Sequence, residues 1–212
     1  MKVKQEKDLV YDEDIDKTLS DDVWVERFLE WHGGNIEKTV DGLLFSLKTQ
    51  NKHKFREVTV NDFPNQFKEC LFFHGLDNLG RKVLHSRLKM VPLEKEKRDM
   101  VMQFTTLMYF KAEETKEKNG YIVINDYNGM SLTSFDLDLV NCLLQTKDIF
   151  PAAAAMFITV NVPWVLKASY NAIKYALPKE HTRGMAVISE KDLKENVVSA
   201  ENLPQFLGGR SI

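Results

Sequence analysis

Between Ser20 and Gln50 the apolar residues recur at helical spacing, first Trp24, Val25, Phe28 and Leu29, then Ile36, Val40, Leu43, Leu44 and Leu47. Steps of three and four put each set on one helix face. Ser20 or Asp21 can cap the first stretch, and His32-Gly33-Gly34-Asn35 breaks the pattern with glycines able to take the positive φ that closes a helix. A helical hairpin is predicted, with packing as its plainest role.

After a charged, proline-containing stretch from Arg56 to Phe67 the period changes. Leu71 to His74 and Val83 to Arg87 read as strands around the turn Gly75-Leu-Asp-Asn-Leu-Gly80. Glu94 to Lys118 carries Met100, Val101, Phe104, Leu107, Met108 and Lys111 in helical period and stops at Asn119-Gly120. Tyr121 to Asp126 follows as a strand. Thr133 and Asp136 form a capping-box-like start for a helix through Leu137, Val140, Leu143 and Leu144, which must end before Pro151. Met156 to Val160 as strand, Pro163 to Leu177 as helix and Met185 to Ile188 as strand complete the alternation. The expected fold is α/β, a mixed, mostly parallel sheet with crossover helices, behind a small all-helical piece. The boundary falls at residue 68: a helical subdomain with a charged leader over 1–68, and the α/β domain over 69–212.

A chain of 212 residues with 43% hydrophobic content can build a real core. Twenty-nine basic against 31 acidic residues leave a net charge of −2, so no global positive field collects nucleic acid. The longest uncharged run, Ile149 to Leu166, is broken by Pro151, Asn161 and Pro163 and falls short of the roughly 20 apolar residues a spanning helix needs. Cys70 and Cys142, without any C-x-x-C, fit a reduced, cytoplasmic setting. The amino terminus has no apolar core of signal-peptide length, and the ending Gly208-Gly209-Arg210-Ser211-Ile212 reads as that of a domain cut from a longer chain. A monomer is expected.

Catalytic patterns do not emerge. Gly75-x-x-x-x-Gly80 continues as Arg81-Lys82-Val83 where a phosphate loop needs Lys followed by Ser or Thr, and a strand follows instead of a helix. Gly129-Met-Ser131-Leu-Thr133 lacks the second glycine of a nucleophile elbow. His32, His53, His74, His85 and His181 show no spacing that would converge on a metal. The expectation is no enzyme, no metal and no cofactor, and binding becomes the default function.

The segment Trp164 to Leu177 carries the most information. Lys167, Asn171 and Lys174 form one narrow polar stripe, Leu166, Tyr170, Ile173 and Leu177 one large apolar stripe, and Trp164, Val165, Ala168, Ala172, Tyr175 and Ala176 fill the remaining arc. A surface helix normally shows one apolar face of limited width. Such a helix is either buried between the sheet and other helices, or it separates an apolar cavity from an apolar exterior as a mobile lid would. The basic residues Lys167, Lys174, Lys179 and Arg183 suit a membrane surface, as they suit plain solubility.

Several stretches together resemble the CRAL-TRIO lipid-binding family: Gly75-Leu-Asp77-Asn-Leu-Gly80-Arg81-Lys-Val83, Asn125-Asp126-Tyr-Asn-Gly129, Phe150-Pro151, Val160-Asn161-Val162-Pro163-Trp164, Lys174, and Asn202-Leu203-Pro204 with Leu207-Gly208-Gly209. Arg27-Phe28-Leu29 and Asn35-Ile36-Glu37-Lys38-Thr39 resemble the family's amino-terminal helical part. Within the family, Asp22-x-Trp24-Val25-Glu26-x-x-Leu29-x-Trp31 and Val60-Asn61-Asp62 resemble a member that is anchored in the endoplasmic reticulum by a later segment and works at membrane contact sites.

The resemblance implies a pocket for one lipid, floored by the sheet and closed by a gate helix over 163–177. It implies that Phe104, Met108, Tyr121, Val123, Asn125, Phe157, Thr159, Leu166, Tyr170, Ile173 and Leu177 bind the lipid, and that Trp164, Lys167, Lys174 and Arg183 face the membrane. The same inward cluster could be ordinary core. Phosphatidylinositol-binding members carry an acidic residue after the proline matching Pro151 and a lysine matching Gly184, whereas this chain has Ala152 and Gly184. Members that take phosphatidylcholine carry small hydroxyl residues where Tyr121 and Val123 stand. Burying a phosphate without donors is costly, so a fatty acid or sterol-like molecule is expected ahead of a phospholipid, with Arg183 as a partial substitute donor. The implied protein works in the cytoplasm at the edge of membranes, transferring or sensing lipid, with protein partners at contact sites. The alternative is an interaction scaffold with a collapsed pocket that binds small GTPases or their regulators.

Overall fold

The computed structural model describes residues 9–114, 120–131, 144–151, 154–177 and 179–211. The charged leader contributes a helix, α1 (Asp12–Ser20), that the apolar period does not signal. Its buried Asp14 ion-pairs with Arg56, and its Ile15 packs against the cluster around Trp24. The expected hairpin follows as α2 (Asp22–Trp31) and α3 (Ile36–Lys52). Asp21 caps α2 by accepting the Trp24 N–H at 2.9 Å, and Asn35 caps α3 through the Lys38 N–H at 2.9 Å. Gly33 and Gly34, at φ +62° and +79°, make the turn between them. Trp24, Phe28, Leu43, Leu44 and Leu47 close on one another with Val10.

A short helix, α4 (Asn65–Cys70), runs straight into β1 (Leu71–Leu76), which pairs antiparallel with β2 (Lys82–Arg87). Then come α5 (Arg98–Glu114), β3 (Tyr121–Asp126), α6 (144–149), β4 (Ala154–Val160), α7 (Trp164–Ala176), α8 (Lys179–Thr182), β5 (Met185–Val187) and α9 (Glu190–Asn196). The sheet order is β1-β2-β3-β4-β5, and every pair after the first is parallel. This is the α/β architecture the alternation predicts. Differences lie at the ends. A 3-10 turn over Lys95–Lys97 takes the expected first residues of α5, β4 begins two residues earlier than its apolar run, and α9 is too short to show a period. The predicted helix start at Thr133 and the residue Cys142 lie outside the described residues.

Alternation along the strands sorts the core into two layers. Tyr121, Val123 and Phe157 face the side covered by α5 through Phe104, Leu107 and Met108, with Phe55, Phe63 and Phe67 beyond. Ile122, Ile124, Ile158 and Val160 face the other side, sealed by Leu193 of α9 and by Val198, Leu203 and Leu207. The amino-terminal helices join this body through Arg27, which grips Glu113 with both terminal nitrogens at 3.0 and 2.5 Å, and through Ser46, whose hydroxyl donates to the Ile149 carbonyl at 2.6 Å.

The glycine- and asparagine-rich motifs prove to be joinery. Asp77 accepts from the Leu79 and Arg81 N–H groups and from the Arg81 guanidinium, locking the Gly75–Gly80 turn that a phosphate would otherwise need. Asp126 accepts from the Asn128 N–H at 3.0 Å and from the Asn161 side chain at 2.9 Å, which ties together the ends of β3 and β4. A Cβ on Gly209 would stand 1.9 Å from the Leu203 carbonyl oxygen, so the carboxy-terminal crossing needs that glycine.

Candidate lipid-binding site

On the α5 side of the sheet the layer is not filled. A cavity of about 160 Å³ lies between the sheet, α5, α7 and the junction of α4 with β1. On the same measure one water needs only about 10–15 Å³, so this is no ordinary packing defect. Ser86, Val123, Asn125 and Phe157 form the floor, Val101, Phe104, Thr105 and Tyr109 of α5 one wall, and Tyr170, Ile173, Lys174 and Leu177 of the α7 segment the opposite wall. Leu88, Val91, Tyr127, Met130, Leu144, Lys147 and Met185 complete the lining, with Phe67, Cys70 and Leu71 at one end.

Seven of the expected lipid-binding residues reach this wall: Phe104, Val123, Asn125, Phe157, Tyr170, Ile173 and Leu177. Met108, Tyr121, Thr159 and Leu166 do not. Met108 turns into the aromatic core, and Tyr121 sits edge-on against Tyr109 at 5.9 Å between ring centres. Thr159 is covered by Tyr170, whose hydroxyl lies 3.3 Å from the threonine oxygen. Leu166 is 1% exposed yet absent from the cavity, whose lining on the α7 segment begins at Tyr170.

Of the residues expected to face a membrane, Trp164 is 83% exposed and Lys167 is exposed. Arg183 is exposed and reaches Glu30 at 3.7 Å. Lys174 is half-buried: it lines the cavity, and its ammonium donates to the Met185 carbonyl at 3.2 Å. That bond draws the side chain off the outer stripe. The outward face instead gains Tyr175, 93% exposed, which stands about three turns from Trp164 and on the same stripe.

Lys147 is the functional candidate that the sequence reading misses, because a lysine reads as surface. A signal was there: Lys147 continues the stripe Val140, Leu143, Leu144 at a step of three. It is 8% exposed, with its ammonium 3.8 Å from the centre of the Phe157 ring. Burial pulls its pKa down to about 8, against the opposing pull of Asp148. Burial pushes the Tyr127 phenol up to about 12 and the Cys70 thiol up to about 11, and the thiol donates to the Phe67 carbonyl at 3.1 Å. A thiol raised in this way is a poor nucleophile. Among the described residues no group of His, Cys, Asp and Glu could hold a metal ion, and no helix is long and apolar enough to cross a membrane.

A cavity floored by a sheet, walled by helices and poor in activated groups defines a container for an apolar or amphipathic guest. Residues 66–209 match the CRAL/TRIO domain, and the chain belongs to that family. It is 22% identical over 215 residues to the Sec14 cytosolic factor of Schizosaccharomyces pombe, covering 89% of this chain and 74% of that protein. It is 21% identical to Patellin-1 of Arabidopsis thaliana over 90% of its own length, which is 36% of the patellin. The crystal structure of Sfh5 superposes with a TM-score of 0.66 at 17% identity, over 91% of this chain and 72% of the other. That likeness extends to the fold. These relatives give no support to the finer resemblance to an endoplasmic reticulum-anchored member, which stands on residues 22–31 and 60–62 alone.

Proposed function

We propose that the chain holds one lipid in this cavity without chemistry on it, and transfers or senses it at membranes with α7 as the gate. One observation carries the reading: α7 is apolar on two opposite sides. Its inward stripe of Tyr170, Ile173 and Leu177 lines the void, while its outward stripe leaves Trp164 and Tyr175 in water. Burying one such side chain is worth about 1.5–3 kcal/mol, so the exposed pair favours contact with a bilayer surface. The gate would turn about Asn161-Val162-Pro163 and the end of the helix at Leu177. Asn161 has φ +58° and donates to both Asp126 and Glu190, a strained residue latched in place. The second hinge residue, Pro178, lies outside the described residues.

A mostly apolar guest, a fatty acid or sterol-like molecule, fits better than a phosphoinositide. Gly184 has φ +74° and a Cβ there would meet the Ala155 carbonyl at 3.1 Å, so the lysine of phosphatidylinositol-binding members has no unstrained equivalent here. Arg183 turns to Glu30 instead. Residues 1–68 are read as a helical subdomain bracing α5 and α6 through Arg27 and Ser46, with 69–212 as the lipid-holding domain. Work in the cytoplasm at an endoplasmic reticulum contact site rests on the sequence resemblance of residues 22–31 and 60–62. The scaffold alternative needs a collapsed pocket, which the open cavity disfavours. Native mass spectrometry of protein purified from cells tests the proposal: a retained lipid-sized mass supports it, and a clean apo mass after gentle purification refutes it.

A further inference from the structure

The cavity floor changes character along the strands. Val123 of β3 has Leu84 of β2 and Phe157 of β4 as its neighbours in register, an apolar row. Two residues on, the same face carries Ser86, Asn125 and Thr159, again side by side. Adjacent strands run about 4.8 Å apart, so the three polar side chains form one short row across the sheet. Thr159 is completed within the protein, since the Tyr170 hydroxyl covers it at 3.3 Å. Ser86 and Asn125 are half-buried, border the void, and hydrogen-bond through their side chains to no other described residue.

A carboxamide and a hydroxyl on an apolar wall cost free energy unless their hydrogen bonds are met. Ordered water can meet them, and a guest that displaces such water loses affinity unless it restores the same bonds. Asn125 offers two N–H donors and a carbonyl acceptor, and Ser86 offers one donor and an acceptor oxygen. An alcohol hydroxyl both donates and accepts, so it can complete the pair. An ether only accepts. A carboxylate also only accepts, and it brings a charge that two neutral groups compensate poorly. The lysines of the same lining are engaged away from this row. Lys174 donates to the Met185 carbonyl at 3.2 Å, and the Lys147 ammonium stands 3.8 Å from the centre of the Phe157 ring, in the apolar row.

We propose that Asn125 and Ser86 select an uncharged amphiphile with a free hydroxyl, a long-chain alcohol or a sterol, and hold that hydroxyl while its hydrocarbon lies against Phe104, Val123 and Ile173. The inference rests on the lipid-holding reading, and the experiment separates the two. The delipidated full chain is loaded with Nile red, a neutral environment-sensitive dye. The dye is then displaced by dodecanol, by cholesterol, by the methyl ether of each, or by dodecanoate. The expected result is at least about tenfold tighter binding of one or both alcohols than of the matching ether, although the ether is the more apolar molecule. Dodecanoate should bind no more tightly than dodecanol. Whichever alcohol shows the effect identifies the source of the hydroxyl. Asn125→Leu and Ser86→Ala should each shrink the difference and together remove it without weakening the ethers, while Ser86→Thr keeps it. Equal binding of alcohol and ether in both pairs, a difference that survives the double variant, or tighter binding of dodecanoate than of dodecanol overturns the hydroxyl site while leaving the lipid site standing. Failure of the wild type to bind the dye or any of the ligands overturns both. Should the double variant not fold, Ser86→Ala alone, which removes a single oxygen, decides by the same difference.

Discussion

Leu166 and Ile173 look equivalent on a helical wheel, and their separate fates give the most direct test of the gate. Leu166 is 1% exposed and lines no cavity, so Leu166→Ala removes a buried side chain and leaves a new hole, at a cost of about 3 kcal/mol. For a domain of this size each kcal/mol shifts Tm by about 2–4 °C, so the loss should be roughly 6–12 °C. Ile173 is half-buried and already borders the void, so Ile173→Ala enlarges an existing space and should cost about 1 kcal/mol, or roughly 2–4 °C. The charged variants widen the contrast. Leu166→Asp buries a carboxylate without a partner and should unfold much of the protein, whereas Ile173→Asp should remain folded and lose its guest to the new charge in the wall. Thermal unfolding is measured on delipidated protein, because a bound guest would stabilise the folded state and mask the difference. Guest retention is then read by native mass spectrometry, and extraction from liposomes by a transfer assay. Equal Tm losses for the two alanine variants, or full lipid extraction by Ile173→Asp, would refute the assignment of inner wall and packed core.

Three further outcomes follow from the geometry. His85 is fully buried against the His74 carbonyl at 3.1 Å, and burial above all lowers its pKa from 6.5 to about 4. The unfolded chain then binds the proton first, so stability is unaffected above pH 6.5 and falls by up to about 3 kcal/mol as the pH drops towards 4, a slope that His85→Phe should flatten in denaturant titrations. Replacing both Trp164 and Tyr175 by Ala should leave Tm unchanged, since both side chains already stand in water, yet weaken sedimentation with vesicles at least about tenfold; unchanged sedimentation would remove α7 from the membrane contact. Gly75→Ala places a Cβ 2.1 Å from the Asn202 carbonyl oxygen at a φ of +68°, and should lower stability by about 1–3 kcal/mol in chemical denaturation.

Periodicity along the chain determined the element types, the parallel sheet and the sides to which Val123, Asn125 and Phe157 point, because these depend on spacings of two and three to four residues. The outward greasy face of α7 was legible for the same reason. Which inward residues border empty space was not, since a cavity exists only where several distant elements fail to meet. Hence Leu166, Met108, Tyr121 and Thr159 are buried as the wall residues are and yet border no cavity. Lys174 reads as a membrane-facing cation in the sequence, whereas in the fold its ammonium donates to the Met185 carbonyl, and Lys147, which the sequence reading passed over, stands over the Phe157 ring. Charge in a sequence says what a side chain prefers. Only the packing of helices over the sheet decides whether that preference is met by water, by a carbonyl or by a ring face.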